Sequence, residues 1–434
     1  MNDATRPTNA RYKVIAITAA LAMVTYLDRA CIGSMKTEIS RDFDLDPAQF
    51  AWVANAFLFM YAIFEIPTAR WADQRGAKSV LTRIVTWWSM FTILTAGAWN
   101  YGSLLATRAL FGVGEAGAWP CMARVMSRWI PLHMRASAKG LFFAAAYASA
   151  GVTTWAMPQL LEHFNWRSLL VVFGCVGLVW VLVWHLWFRD EPTDHPAANE
   201  AERALILADR PPPAPGPRGW PFWGRLLRQR NMRLLCFLYM PNCCAFYFCI
   251  TWFPSYLREY HHFESAQLGT IASLPLFLSV ATQFLGGYWS DRVTRRRGVT
   301  AGRRTPGIVG YLVAAACILG AIFSTTPLVI ALFIAVATGS CMLTTAPAWS
   351  TCIDIGREHS ATVGATMNTA GQFAAMVCLF VTGYSVKWTG DWNVPLWFLA
   401  GMFAMGAICW AFVEPQRPVM GDVAERRGPL PQPA

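Results

Sequence analysis

Five ionisable side chains stand inside otherwise apolar stretches of this chain: Asp28 and Arg29, Glu65, and Arg108 and Glu115. A charge at the centre of a bilayer costs roughly 2.5–3.5 kcal/mol, so such residues are expected to face a water-accessible cleft or a partner. Arg29 has the planar fork that holds a carboxylate through two parallel hydrogen bonds. Tyr26, three residues earlier, shares its helix face and could donate a hydroxyl to the same anion. Glu115 closes the block Arg108-Ala-Leu-Phe-Gly-Val-Gly-Glu115. Residues 108, 112 and 115 of that block lie on one helix face, and Gly112 and Gly114 permit close helix approach. A carboxyl group shielded from water can be neutral near neutral pH, so Glu115, and Asp28 in the same way, could carry a proton. Two acids beside two arginines suit coupling of a proton to an anion. The same residues could instead form a fixed ion-pair cluster that only holds helices together. Glu65, just before Pro67, is expected to pair with Arg83, and Arg124 to snorkel at a helix end.

The elements that must position these residues are membrane helices. Of 434 residues 55% are hydrophobic and only 14% charged, against about 25% charged in a soluble protein. A bilayer core needs roughly 20 apolar residues per helix. The sequence predicts such spans near 14–34, 50–70, 79–98, 102–124, 138–160, 167–188, 234–257, 267–290, 306–324, 328–352, 362–386 and 393–413. They do not alternate apolar and polar residues as barrel strands would. The fold class is therefore all-α, with twelve transmembrane helices in two six-helix bundles. Of the 36 Lys and Arg residues, 28 lie at the N-terminus, the even-numbered connections with the span ends that flank them (Arg70, Arg83 and Lys139) or the C-terminus, and three (Arg29, Arg108, Arg124) lie deeper within spans. The odd-numbered connections hold five: Lys36, Arg41, Arg167, Arg258 and Lys387. That bias predicts an inner-membrane protein with both termini cytoplasmic. The net charge of +11 is thereby explained by membrane topology, without nucleic acid. All twelve Cys fall in predicted spans, where they read as small packing residues.

The predicted division is a first bundle over 1–188, a cytoplasmic linker over 189–233, a second bundle over 234–413 and a tail over 414–434. The halves repeat. Ala69-Arg70-Trp71-Ala72-Asp73-Gln74-Arg75-Gly76 follows the second span, and Gly287-Tyr288-Trp289-Ser290-Asp291-Arg292 follows the eighth. The two Asp residues are 218 positions apart, as expected of a transporter built by internal duplication. The same offset carries Arg29 onto Tyr247, so Tyr247 is expected opposite Arg29, with Asn242 on the same helix also pointing inward.

These blocks resemble the loop signature Gly-x-Leu-Ala-Asp-Arg-x-Gly of the major facilitator superfamily. The first copy has Ala69, Trp71 and Gln74 in place of Gly, Leu and Arg, and the second lacks the later Gly spacing. The resemblance implies a gating role for Asp73, Arg75, Asp291 and Arg292. A fuller likeness is to its anion:cation symporter family. It is carried by Tyr26-Leu27-Asp28-Arg29, the Arg108–Pro120 block, Trp129 and Pro131 with Arg135-Ala-Ser-Ala, and Asn165-Trp166-Arg167. In the second half it is carried by Trp252-Phe-Pro-Ser-Tyr-Leu257 and Asn368-Thr-Ala-Gly371-Gln. By that resemblance Asp28 and Glu115 handle protons, with Arg108 as their partner. Arg29 takes the substrate carboxylate beside Tyr26 and Tyr61, Asn368 contacts substrate, and Trp349 lines the second half of the cavity. Ala146 stands where sugar-acid carriers place a Gln, so the pocket suits a less hydroxylated or aromatic carboxylate, with Tyr147 supplying some polarity.

The expected function is proton-coupled symport of a small organic carboxylate, a sugar acid or related anion, into the cell. An exchanger or uniporter, or a transporter-like ligand sensor, are the alternatives. No nucleophile–base pair, metal motif or phosphate loop appears in the spans or the linker. No enzyme activity, cofactor or metal is therefore implied. The expected partners are the anion, protons and membrane lipid, and a monomer suffices for this fold.

Overall fold

The computed structural model describes residues 6–131, 134–208, 220–356 and 360–418. Six long helices form the first half: α1 (Ala10–Ser34), α2 (Pro47–Arg75), α3 (Ala77–Ala96), α4, α5 (Arg135–His163) and α6 (Trp166–Trp187), with the short helix Lys36–Phe43 between α1 and α2. α4 runs as Tyr101–Glu115 and, after a break, Ala118–Trp129. The second half begins with α7 (Arg230–Thr251). The helix Ser265–Phe323 leaves helical geometry at Gly298 and so comprises α8 (265–297) and α9 (299–323). α10 (Pro327–Met342, continued as Thr345–Gly356), α11 (Ser360–Thr389) and α12 (Asn393–Phe412) complete it. Most of these helices overrun the predicted spans, because polar ends beyond the hydrocarbon layer continue the helix.

By length and composition eight helical stretches among the described residues could cross a membrane, Gln267–Phe323 being long enough for two passes. α3, α4 and α5 are not among them, and packing against their neighbours holds them in place. α6 shows the logic of the lipid face. Val172, Val176, Val179, Val183 and Leu186 are exposed at helical spacing, while Gly174, Gly177, Trp180 and Trp184 face inward.

Between the halves, the segment after α6 returns over the first half. Asn199 caps the short helix Glu200–Leu207 by accepting from the Glu202 backbone at 2.9 Å. Arg11 pairs with the buried Glu202. The proline run 211–213 lies outside the described residues.

The repeat is visible in backbone conformation. Each half turns from its second to its third helix through a glycine with positive φ: Gly76 at 84° and Gly298 at 83°. A side chain is disfavoured there. The glycine missing from motif spacing in the second copy is thus supplied by Gly298, after four more helical residues.

The halves meet along α1 with α7, α2 with α11 and α5 with α8. α1 approaches α7 tightly at Gly33, where an added Cβ would stand 1.9 Å from the Ile250 carbonyl oxygen.

Candidate functional site

Arg29 is the hub of the interface between the halves. It forms a buried ion pair with Glu115 of α4. Its Nη1 also donates to the Tyr247 hydroxyl of α7 at 3.2 Å, across 218 residues of sequence. The guanidinium lies over the rings of Tyr61 (5.0 Å), Phe57 (5.4 Å) and Tyr26 (5.5 Å), an arrangement that favours a cation. Arg108 stacks on Phe111 at 4.4 Å. Asp28 lies within electrostatic reach of Arg108 and Glu115 and beside Trp88, yet neither of its carboxyl oxygens has a hydrogen bond. An unsatisfied buried acid is rare and calls for a reason.

Both arginines and Tyr247 line a cavity of about 20 Å³, room for a single water. The open cleft expected from the sequence is therefore contracted: Asp28, Arg29, Arg108 and Glu115 are all at most 6% exposed. The physical reason is that the halves are closed over the site.

The closure is strongest on the face that carries the odd-numbered connections. Lys36 pairs with Glu259 at 2.9 Å, Arg258 with Glu38 at 2.5 Å, and Lys387 with Asp46 at 2.9 Å. All three pairs join the first half to the second. A within-half pair, Arg167 to Asp42 at 2.5 Å, stands on the same face. The sequence carried a signal for these latches. Odd connections hold only five cations, and four of them pair.

Aromatic rings wall the site on the other side. Tyr26 touches Phe246 (5.2 Å), Tyr147 (5.6 Å) and Trp119 (6.1 Å). Tyr147 donates to the Met342 sulfur at 3.4 Å. Trp349 meets Phe143 at 6.3 Å and Tyr239 at 6.1 Å. Asn368 Nδ2 donates to Glu65 Oε1 at 3.5 Å across the α2–α11 contact.

Two expectations are corrected. Asn242 does not join this group. Its amide nitrogen donates to Tyr311 (2.6 Å) and Thr344 (3.0 Å), and its oxygen accepts from Thr345 (3.0 Å), so its capacity is spent within the second half. Glu65 does not answer Arg83. Arg83 lies over Trp71 at 5.4 Å, whereas Glu65 is buried against α11.

Of the gating residues, Asp291 is 3.6 Å from Arg303, which also reaches Asp354 (2.9 Å) and Ser290 (2.8 Å). Arg292 donates to Tyr288 at 3.0 Å. The Asp73 side chain lies outside the described residues, and Arg75 is exposed. In the first half Asp190, from the segment after α6, accepts from the Lys78 backbone at 3.0 Å, at the start of α3.

The Major Facilitator Superfamily model matches residues 18–378 and again 235–432. A protein named as a probable sulfoacetate transporter of Cupriavidus necator is 28% identical over 93% of this chain and 94% of its own length. A probable galactarate/D-glucarate transporter of Escherichia coli K12 is 28% identical over 93% and 94%. A chloroplastic ascorbate transporter of Arabidopsis thaliana is 26% identical over 92% and 74%. Among solved structures, a D-xylose-proton symporter superposes with a TM-score of 0.74 at 11% identity over 93% of this chain and 98% of its own. An inward-facing bacterial homologue of the human lysosomal transporter Spinster gives 0.70 at 17%, over 93% and 95%. Family and relatives are transporters, not enzymes. With twelve long helices among the described residues, in two repeated halves, and this match along its length, the chain belongs to the major facilitator superfamily.

Proposed function

We propose that this protein is a proton-coupled symporter that brings a small organic carboxylate into the cell. The observation that carries the reading is the Arg29–Glu115 ion pair, buried between the halves and joined to both by Tyr247. Glu115 holds the Nε and Nη2 edge of the Arg29 fork, an edge on which a substrate carboxylate could make two parallel bonds. An arriving anion displaces Glu115, and the freed acid, deprived of its cation in a closed site, takes up a proton. Asp28, which has no hydrogen bond to hold it ionised, serves as the second proton acceptor, with Arg108 between the two acids.

The halves 1–188 and 234–413 then rock about the site. The latches on the odd-loop face release to admit substrate and re-form behind it. The charge bias of the connections supports a reading with that face outside and both termini in the cytoplasm. The relatives named for sulfoacetate, galactarate and glucarate support a small anion as cargo.

The test is uptake by proteoliposomes under an imposed inward proton gradient, with sugar acids, aromatic acids and dicarboxylates as labelled substrates. Accumulation above equilibrium that collapses with a protonophore supports symport. Uptake that only equilibrates, or that requires an internal counter-anion, replaces it with uniport or exchange.

A further inference from the structure

Glu65 is a fifth buried ionisable group, 7% exposed, and the coupling scheme does not use it. It stands one helical turn beyond Tyr61, the residue whose ring Arg29 covers at 5.0 Å. Residues four apart share a helix face, so Glu65 continues the line from Arg29 toward the even-loop face. Across the interface it meets Asn368 at 3.5 Å, a long contact for a hydrogen bond. Three polar atoms in this corner have no hydrogen bond: Glu65 Oε2, the Tyr61 hydroxyl and Gln372 Oε1. All three residues are at most 7% exposed. Gln372 lies four residues after Asn368, on the same α11 face. Unfilled buried acceptors of this kind are answered by a donor.

Charge counts point the same way. With every group ionised, Asp28, Glu65 and Glu115 outnumber Arg29 and Arg108 by one negative charge. A monoanion adds one more, which an accompanying proton offsets. A second carboxylate placed at the Glu65 end would face another acid, with only Arg29, already holding the first carboxylate, within electrostatic reach, a like-charge contact that interfaces use to reject partners.

We propose that Glu65, with Tyr61, Asn368 and Gln372, forms a second subsite that reads the far end of the substrate and accepts a hydrogen-bond donor there. The preferred cargo is then a monocarboxylate carrying a hydroxyl or similar donor about one helical turn, ~5 Å, from its carboxylate, rather than a dicarboxylate. This rests on the assignment of Arg29 as carboxylate anchor.

The test uses purified protein and pairs of acids that differ only in a hydroxymethyl group exchanged for a second carboxylate. Gluconate and glucarate form one pair, 4-hydroxybutyrate and succinate another, and 4-(hydroxymethyl)benzoate and terephthalate a third. Affinities are read by calorimetry. The wild type is expected to favour the monoacid of whichever pair it binds by about tenfold or more. Glu65→Gln should shrink that ratio to within about threefold, and Asn368→Asp added to Glu65→Gln should restore it by returning an acid to the same contact. A role confined to packing would not give that rescue.

A wild type that binds the diacid as well as or better than its partner overturns the subsite, whatever the variants do. So does a ratio that Glu65→Gln leaves unchanged in a folded protein. If none of the six acids binds, or Arg29→Ala binds them like the wild type, the anchor itself is wrong and the subsite falls with it.

Discussion

Replacing Gly33 by Ala should hold the protein open on its odd-loop face. The added methyl would stand 1.9 Å from the Ile250 carbonyl oxygen and 2.6 Å from the Thr251 Cα. Ordinary contact begins near 3.4 Å, so α1 and α7 must part by about 1.5 Å at this point. Both obstacles are backbone atoms, which cannot swing aside as a side-chain tip can. Overpacking of this kind costs roughly 1–3 kcal/mol in a rigid core. Here the strain falls only on the closed state, because opening separates the two helices. The closed population should therefore fall about tenfold to a hundredfold relative to the open one. Double electron–electron resonance between spin labels at Arg41 and Asp391, both exposed on that face, reads the separation directly, with the exposed Cys175 first changed to Ser. A shift of the distance distribution to longer values, with transport lost, is expected. An unchanged distribution with intact transport would show that the α1–α7 contact at Gly33 is no part of the closed state.

Other perturbations report on separate parts of the site. Tyr247→Phe keeps the ring packed on Phe246 at 5.3 Å but removes the acceptor for Arg29. A bond to a charged donor is worth about 1.5–3 kcal/mol, and at 3.2 Å the low end applies, so carboxylate affinity by calorimetry should fall about tenfold. Glu259→Gln strands Lys36, whose side chain is only 4% exposed. Glu259 itself is 36% exposed, so the loss is discounted to about 1 kcal/mol; the spin-label distances should lengthen modestly, and Lys36→Met added to Glu259→Gln should recover much of the change. Asp42 is held below the ordinary aspartate range by the Trp166 indole at 2.9 Å and then by Arg167 at 2.5 Å. A carboxyl group lowered on folding stabilises above its unfolded value, and that stability is lost as pH falls through the folded one. Asp42→Asn should lower the melting temperature at neutral pH, and the gap should begin to narrow below about pH 4 and close as pH falls through the lower folded value.

The helices and the hub of the site were legible in the sequence for plain reasons. Apolar runs of bilayer length are costly to place elsewhere, and a buried arginine needs an acid, which Glu115 supplies. Duplication gave the partner of Arg29 in the other half, because a fixed offset carries a residue to its symmetry mate. Asn242 was expected to face inward only because it shares a helix with Tyr247, and that expectation failed. Five residues turn a helix by about 500°, which leaves the side chain some 140° away from the face of Tyr247. It therefore packs among Tyr311, Thr344 and Thr345. Glu65 was misread because the arginine expected to answer it, Arg83, is occupied with Trp71, and the contact to Asn368 bridges 303 residues. The latches of the odd-loop face likewise depend on how the halves register, which hydropathy does not encode. Gly298 was hidden because its place in the turn is set by backbone conformation and the motif spacing shifts by four residues.

The most direct measurement is the effect of Glu115→Gln on two modes of transport in the same proteoliposomes. Substrate exchange at equal pH on both sides needs only binding and rocking, whereas accumulation against a gradient needs a proton to enter and leave. If Glu115 is the acid that Arg29 releases, the variant should retain exchange and lose accumulation driven by a proton gradient. Accumulation at the wild-type level would contradict proton coupling through this residue.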